Sequence, residues 1–276
     1  MIYEINKNDF YKCKSLPNQR GQLEVKAVIE GMNPGRIFVD DLASPTSGLV
    51  WLGNNDGFIF IGNEENELFT SKIDHFIDTV IKPDAKKVGL SWFEGMGNHP
   101  KWNKIIEKMF EHRKLGSWNQ KVYMLQNGDY KTENEPVLEQ GYSIIKISKA
   151  FYENSEKEMN NIEFLHSKIL EYWSSPDNFF HKGTGYCIVH EKHIVGVCFS
   201  GFVVGNVHCV DIETLEFYRG KKLAQKIAHC FVKDCLENGL VPYWDCMEAN
   251  KPSIAIAENL GLTNVFNYTG YEFPFD

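Results

Sequence analysis

The chain has no C-x-x-C pair and no run approaching the ~18 apolar residues that cross a bilayer, which excludes a dithiol redox motif and a membrane-spanning helix. Its seven cysteines (Cys13, Cys187, Cys198, Cys209, Cys230, Cys235, Cys246) are odd in number and mostly sit in apolar runs. They read as buried, reduced thiols of a cytosolic protein. Residues 1–9 lack the apolar centre of a signal peptide, so secretion is not indicated. Positive charge is also short: 29 Lys and Arg stand against 37 Asp and Glu, a net charge of -8. A general attraction to nucleic acid or an anionic membrane is disfavoured, and any polyanion must be captured locally. The nine histidines form no metal-ligand pattern, since His190 and His193 straddle a turn and His208 stands alone on a strand.

What is present is the composition of a folded, soluble protein, 43% hydrophobic and 24% charged over 276 residues, a length that favours two domains. In the second half, Met159, Ile162, Leu165, His166, Ile169 and Tyr172 recur at steps of three and four, which predicts an amphipathic helix over 155–173. Three strands follow, at 185–190, 194–204 and 207–214, with Gly205-Asn206 a hairpin signal. A helical stripe of Leu223, Ile227, Ala228, Phe231, Cys235 and Leu236 then runs to Asn238-Gly239. A strand at 241–246 leads to a helix capped by Asn250, with Pro252 in its first turn and Gly261 at its end, and a last strand spans 265–273. A meander joined to a crossover unit implies an α/β fold with a mixed sheet and helices on its faces.

The first half repeats that order, with a helix at 22–30, strands at 36–39, 49–52 and 58–61, and a hairpin turn at Asn55-Asp56-Gly57. A helix through Leu68, Ile73, Phe76, Ile77 and Val80, a strand at 88–93 and a helix through Trp102, Ile105, Ile106 and Met109 complete it. Asn98-His99-Pro100 answers Asn250-Lys251-Pro252, 152 residues later, as a diverged duplication would. The alternative is two unrelated mixed domains of similar element order. The expected join lies in the polar segment 128–140, giving domains 1–135 and 136–276. Trp51, Trp92, Trp102 and Trp118 of the first half read as core aromatics.

One segment carries chemistry: Leu215-Glu216-Phe217-Tyr218-Arg219-Gly220-Lys221-Lys222-Leu223-Ala224, between the third strand and the long helix. A strand that ends in a tight basic turn and opens into a helix presents unpaired N–H groups and the positive end of the helix dipole to one point. That is a cradle for pyrophosphate. The matching place in the first half, Gly62-Asn63-Glu64-Glu65-Asn66-Glu67, carries three carboxylates that repel phosphate, so one half is expected to bind the ligand.

This segment resembles the coenzyme-A loop of the GNAT N-acetyltransferase superfamily, which has Gln or Arg, two residues, Gly, one residue, then Gly or Ala. Arg219 and Ala224 match, and Lys222 stands where the middle glycine belongs. A second signature follows in Asn250, Ser253 and Leu260-Gly261-Leu262. Ile212-Glu213-Thr214, Tyr218-Arg219-Gly220-Lys221, Leu223-Ala224 and Trp244-Asp245-Cys246 with Asn250 further resemble the zwittermicin A resistance acetyltransferase group, whose members carry an extra N-terminal half. The resemblance implies a GNAT-like C-terminal half behind a degenerate GNAT-like N-terminal half. It also implies acetyl transfer from acetyl-CoA to a primary amine of a small molecule, an antibiotic among the candidates. Phe217, Arg219, Gly220, Lys221, Lys222, Leu223, Ala224, Asn250 and Ser253 would hold the cofactor, with no metal, nucleic acid or membrane involved.

Such a transfer needs a base for the ammonium proton, a donor for the carbonyl oxyanion and a proton for the thiolate. Alternation places Cys209, Asp211 and Glu213 on one strand face, which makes Glu213 the candidate base; the bland reading is a solvated acidic strand end. By the same resemblance the backbone N–H of Leu215 is the oxyanion donor. The tyrosine that often protonates the thiolate is replaced by Ala257, leaving Tyr268, Tyr271, Cys246 or a water. Competing functions are a non-catalytic acyl-CoA-binding regulatory module and a protein-interaction scaffold.

Overall fold

A computed structural model of the chain describes residues 1–53, 57–125, 128–154 and 159–275. The turn expected at Asn55-Asp56 and the start of the helix expected from residue 155 lie outside the described residues. The first half contains strand β1 (Tyr3–Glu4), helix α1 (Leu23–Ile29) and strands β2 (Arg36–Val39), β3 (Ser47–Trp51) and β4 (Gly57–Gly62). Helices α2 (Glu67–Phe76) and α3 (Lys82–Lys87), strand β5 (Trp92–Gly97), helix α4 (Lys101–Met109) and strand β6 (Gly116–Met124) follow. The second half begins with β7 (Tyr142–Lys146), α5 (Lys149–Asn154), α6 (Ile162–Tyr172) and α7 (Pro176–Lys182). It continues with β8 (Gly185–His190), β9 (His193–Val204), β10 (Val207–Thr214), α8 (Leu223–Glu237), β11 (Val241–Met247), α9 (Lys251–Leu260) and β12 (Thr263–Pro274).

The chain divides into two compact units, Met1–Gln120 with Asn267–Asp276, and Lys121–Phe266. This differs from a single cut after residue 135. The polar segment beyond β6 packs with the second unit because Lys131 N–H donates to the Leu260 carbonyl and Gln225 Nε2 to the Asn134 carbonyl. The chain's end packs with the first unit because residues 270–274 pair antiparallel with β5 and bury Tyr271, Phe273 and Phe275.

In the first unit the strand order is β1-β2-β3-β4-β5-β12. Phe60, Phe93, Phe110, Phe273 and Trp102 fill its core, with Phe93 stacked between Phe58 at 4.7 Å and Phe273 at 4.8 Å. Strand β5 starts at Trp92, four residues later than the sequence reading, because Val88 caps α3 and is 67% exposed. Parallel pairing of β4 and β5 continues through Phe60 and Gly97, and Asn98 N–H extends it to the Phe60 carbonyl.

In the second unit the order is β6-β11-β10-β9-β8-β7. One face packs α8 and α9 through Leu223, Ile227, Phe231, Ala257 and Leu260; the other packs α6 and α7 through Leu165, Ile169, Trp173 and Phe179. The stripe expected on α8 is buried except for Leu236, which is exposed. The fold is therefore a mixed α/β sheet in which both halves run helix, three antiparallel strands, helix, parallel strand, helix, strand. Unlike β4 and β5, strands β10 and β11 pair only over residues 207–209 and 241–243, leaving five residues of β10 beyond the pairing.

Candidate active site

The unpaired end of β10 opens a cavity of about 610 Å³, a volume in the range of ligand pockets. Ile212, Glu213 and Thr214 form its inner wall, Arg219, Gly220, Lys222, Leu223 and Ala224 its loop side, and Asn250, Pro252 and Ser253 its α9 side.

The loop is built around two left-handed residues, Gly220 at φ +82° and Lys222 at φ +57°. Lys222 is the N-cap of α8 and makes no side-chain cap, and no acidic residue lies in the helix's first turn. The first N–H groups of a fifteen-residue helix therefore face the cavity with the helix dipole behind them. Arg219 anchors the turn by donating from Nε to the Thr214 carbonyl at 3.1 Å. Among the described residues, the Lys222 ammonium has no hydrogen-bond or ion-pair partner. On α9, Asn250 Oδ1 accepts from Ser253 N–H at 3.2 Å, as a capping asparagine should, while Trp244 Nε1 donates to Ser253 Oγ at 3.0 Å.

Two expected cofactor residues stand apart from the cavity wall. Phe217 is 86% exposed in the short turn Glu216–Tyr218, and Lys221 Nζ donates to Tyr142 Oη at 2.8 Å. An aromatic pair, Tyr142 and Tyr218, holds that ammonium 5.5 and 5.6 Å from their ring centroids. Gln225 and Asn259 also line the cavity, although neither falls in a motif named above. The period of α9 was the signal for Asn259, which falls on the same face as Pro252 and Ile256.

The Leu215 N–H, expected as the oxyanion donor, is already paired within the sheet. Leu215 N–H donates to the Val195 carbonyl at 2.9 Å, continuing the β9–β10 ladder past Thr214 paired with Gly196. Because N–H direction alternates along a strand, the Thr214 N–H and carbonyl face the other edge, where β11 no longer pairs. The Arg219 contact to the Thr214 carbonyl confirms that direction.

Glu213 lines the cavity and its Oε2 lies 2.8 Å from Lys168 Nζ. Asp211 accepts from Tyr172 Oη at 2.9 Å through Oδ1, while its buried Oδ2 has no hydrogen-bond partner among the described residues. Burial pushes the Asp211 carboxyl up to about 6. The bulge between His208 and Val210 breaks the alternation, so Asp211 and Glu213 share the α6 face and Cys209 is not tied to them.

Ala257 and the expected proton donors Tyr271 and Cys246 are differently placed. Ala257 is fully buried in the core, and Tyr271, in the first unit, donates from Oη to Glu107 Oε1 at 2.8 Å. Cys246 is buried, and that burial raises its pKa, so it remains a neutral thiol. All seven cysteines are free. Among the described residues no helix is long and apolar enough to cross a membrane.

The chain resembles known proteins along nearly its whole length. It is 29% identical over 273 residues to the uncharacterized N-acetyltransferase YdfB of Bacillus subtilis (strain 168), covering 98% of each chain. Its fold matches a GCN5-related N-acetyltransferase-like protein from Streptococcus suis 89/1591, with a TM-score of 0.71 and 21% identity over 96% of this chain and 98% of that one. It also matches a tandem GNAT protein from the clavulanic acid biosynthesis pathway, with a TM-score of 0.62 and 12% identity over 100% of this chain and 99% of that one. The family described as GNAT acetyltransferase matches residues 14–271, and the chain belongs to that family.

Proposed function

We propose that the second unit binds acetyl-CoA and transfers its acetyl group directly to a primary amine of a small molecule. The observation that carries this reading is one cavity joining the bare N-terminus of α8 to Glu213 at the open edge of β10. The N–H groups at Leu223 and Ala224, with the charges of Arg219 and Lys222, suit a pyrophosphate. Glu213 takes the proton of the incoming ammonium, and the Thr214 N–H stabilises the carbonyl oxyanion. A water, or the neutral Cys246 thiol, returns a proton to the departing thiolate.

The first unit takes no cofactor in this reading. Its β4–β5 pairing runs on through Asn98, which closes the edge that β10 leaves open. Glu64, buried where the second unit is basic, places its carboxylate 3.5 Å from both His99 Nε2 and Lys101 Nζ. That internal anion takes the place of a phosphate.

The likeness of residues 212–224 and 244–250 to the zwittermicin A resistance group supports an amine-bearing antibiotic as the acceptor. Seven free thiols support a cytoplasmic setting. The test is release of coenzyme-A thiol with a panel of polyamines, amino sugars and amino acids. Glu213→Gln should keep coenzyme-A affinity and lower turnover by roughly 10²–10⁴-fold. Coenzyme-A binding with no thiol release for any amine would instead favour a non-catalytic module, a reading for which buried Ala257 in place of a tyrosine is the supporting observation.

A further inference from the structure

We infer that Lys168 is an internal acetyl acceptor, modified in cis by acetyl-CoA held in the cavity; this rests on the direct transfer proposed above. Lys168 lies on α6, whose Leu165 and Ile169 are fully buried against the sheet, so its backbone is fixed. Its Nζ sits 2.8 Å from Glu213 Oε2 and 3.0 Å from Glu171 Oε2, with the side chain 21% exposed. Glu213, which lines the cavity, thus already holds a primary amine on its carboxylate. A fixed amine beside its base reacts as if at very high local concentration.

Three neighbouring lysines are engaged elsewhere, and Lys222 is not paired with Glu213. Lys221 donates to Tyr142, Lys146 lies 2.7 Å from Asp234, Lys226 pairs with Glu135, and Lys222 sits at the helix end of the cavity. Chemistry at Lys168 is therefore selective. In the step, the ammonium proton passes to Glu213, Nζ forms a bond to the acetyl carbon, and the carbon–sulfur bond breaks with its electron pair leaving on the coenzyme-A sulfur. A proton then joins that thiolate, and nothing is oxidised or reduced. The product amide is neutral, which releases Glu213 and Glu171 from their cation above the partnerless Asp211 Oδ2. An acidic cluster freed in this way favours a cationic acceptor.

The test is incubation of the full chain with acetyl-CoA and no added amine, followed by intact mass and peptide mapping, with coenzyme-A binding measured separately by calorimetry. One acetyl per chain should appear at Lys168, at least about tenfold faster than at any other lysine. Lys168→Arg, which keeps both ion pairs, should abolish it, and Glu213→Gln should slow it. Normal coenzyme-A binding with no acetyl at Lys168, or acetyl spread evenly over the lysines, overturns the inference and leaves the proposed function standing. Absence of coenzyme-A binding overturns both.

Discussion

The backbone N–H of Leu215 donates to the carbonyl of Val195 at 2.9 Å, and this one bond turns the neighbouring Thr214 N–H toward the open edge of β10. Replacing Thr214 by its α-hydroxy analogue deletes that N–H and weakens the Glu213 carbonyl as an acceptor. It should lower kcat by about 10²–10³-fold at unchanged coenzyme-A affinity. The same replacement at Leu215 should cost about 0.5–1.5 kcal/mol of stability and leave kcat alone. Equal kcat losses at both positions would show that neither N–H has a special role.

Lys222 holds a left-handed conformation, φ +57°, that glycine adopts without strain. Lys222→Gly should raise the stability of the ligand-free chain by up to about 1 kcal/mol, strain relief being partly offset by a freer unfolded chain. It should also weaken coenzyme-A binding, because one unpartnered cation leaves the cavity wall. Melting curves and calorimetry check the two signs, and a variant that melts lower or binds tighter contradicts this role.

Much of the second unit was legible in its sequence because periods and punctuation agree there. Strands 185–190 and 207–214, the cap at Asn250 and the left-handed Gly261 follow from local rules. What was not legible depends on pairing between distant segments. Strand β6 and the assignment of residues 267–276 to the first unit are tertiary facts, and Lys221 reads as a phosphate ligand until Tyr142, 79 residues away, is seen to hold it. That the Leu215 N–H is paired while the Thr214 N–H faces the open edge was not legible either, because alternation is fixed by register, and register needs the partner strand.

Asp211 gives a pH test. Burial raises its folded-state pKa from 3.8 to about 6, so the folded chain resists ionisation while the unfolded chain does not. Stability conferred by the protonated form is therefore lost as pH rises from about 4 to 6. Asp211→Asn keeps an acceptor for Tyr172 and should match the wild type at pH 4 but exceed it at pH 8, by on the order of 3 kcal/mol. The groups facing this carboxyl are Tyr172, Lys168, Glu171 and Glu213. A difference that stays constant over this range contradicts the assignment.

Phe273 is 1% exposed, stacked on Phe93 and capped by the Arg113 guanidinium at 4.4 Å. Phe273→Ala should destabilise the first unit by about 3–5 kcal/mol. Hydrogen exchange should then quicken in β2, β3 and β5, while α8 and β9 keep their protection. Loss confined to the second unit would contradict the placement of the chain's end.

The most direct test of the account is calorimetric titration of coenzyme A into the full chain, with Arg219→Glu/Lys222→Glu and Glu64→Gln variants beside the wild type. One equivalent should bind per chain, the double variant should lose at least about 100-fold in affinity through reversed phosphate contacts, and Glu64→Gln should bind as the wild type does. Two equivalents per chain, or unchanged affinity in the double variant, would contradict a single cofactor site at the α8 end of the second unit.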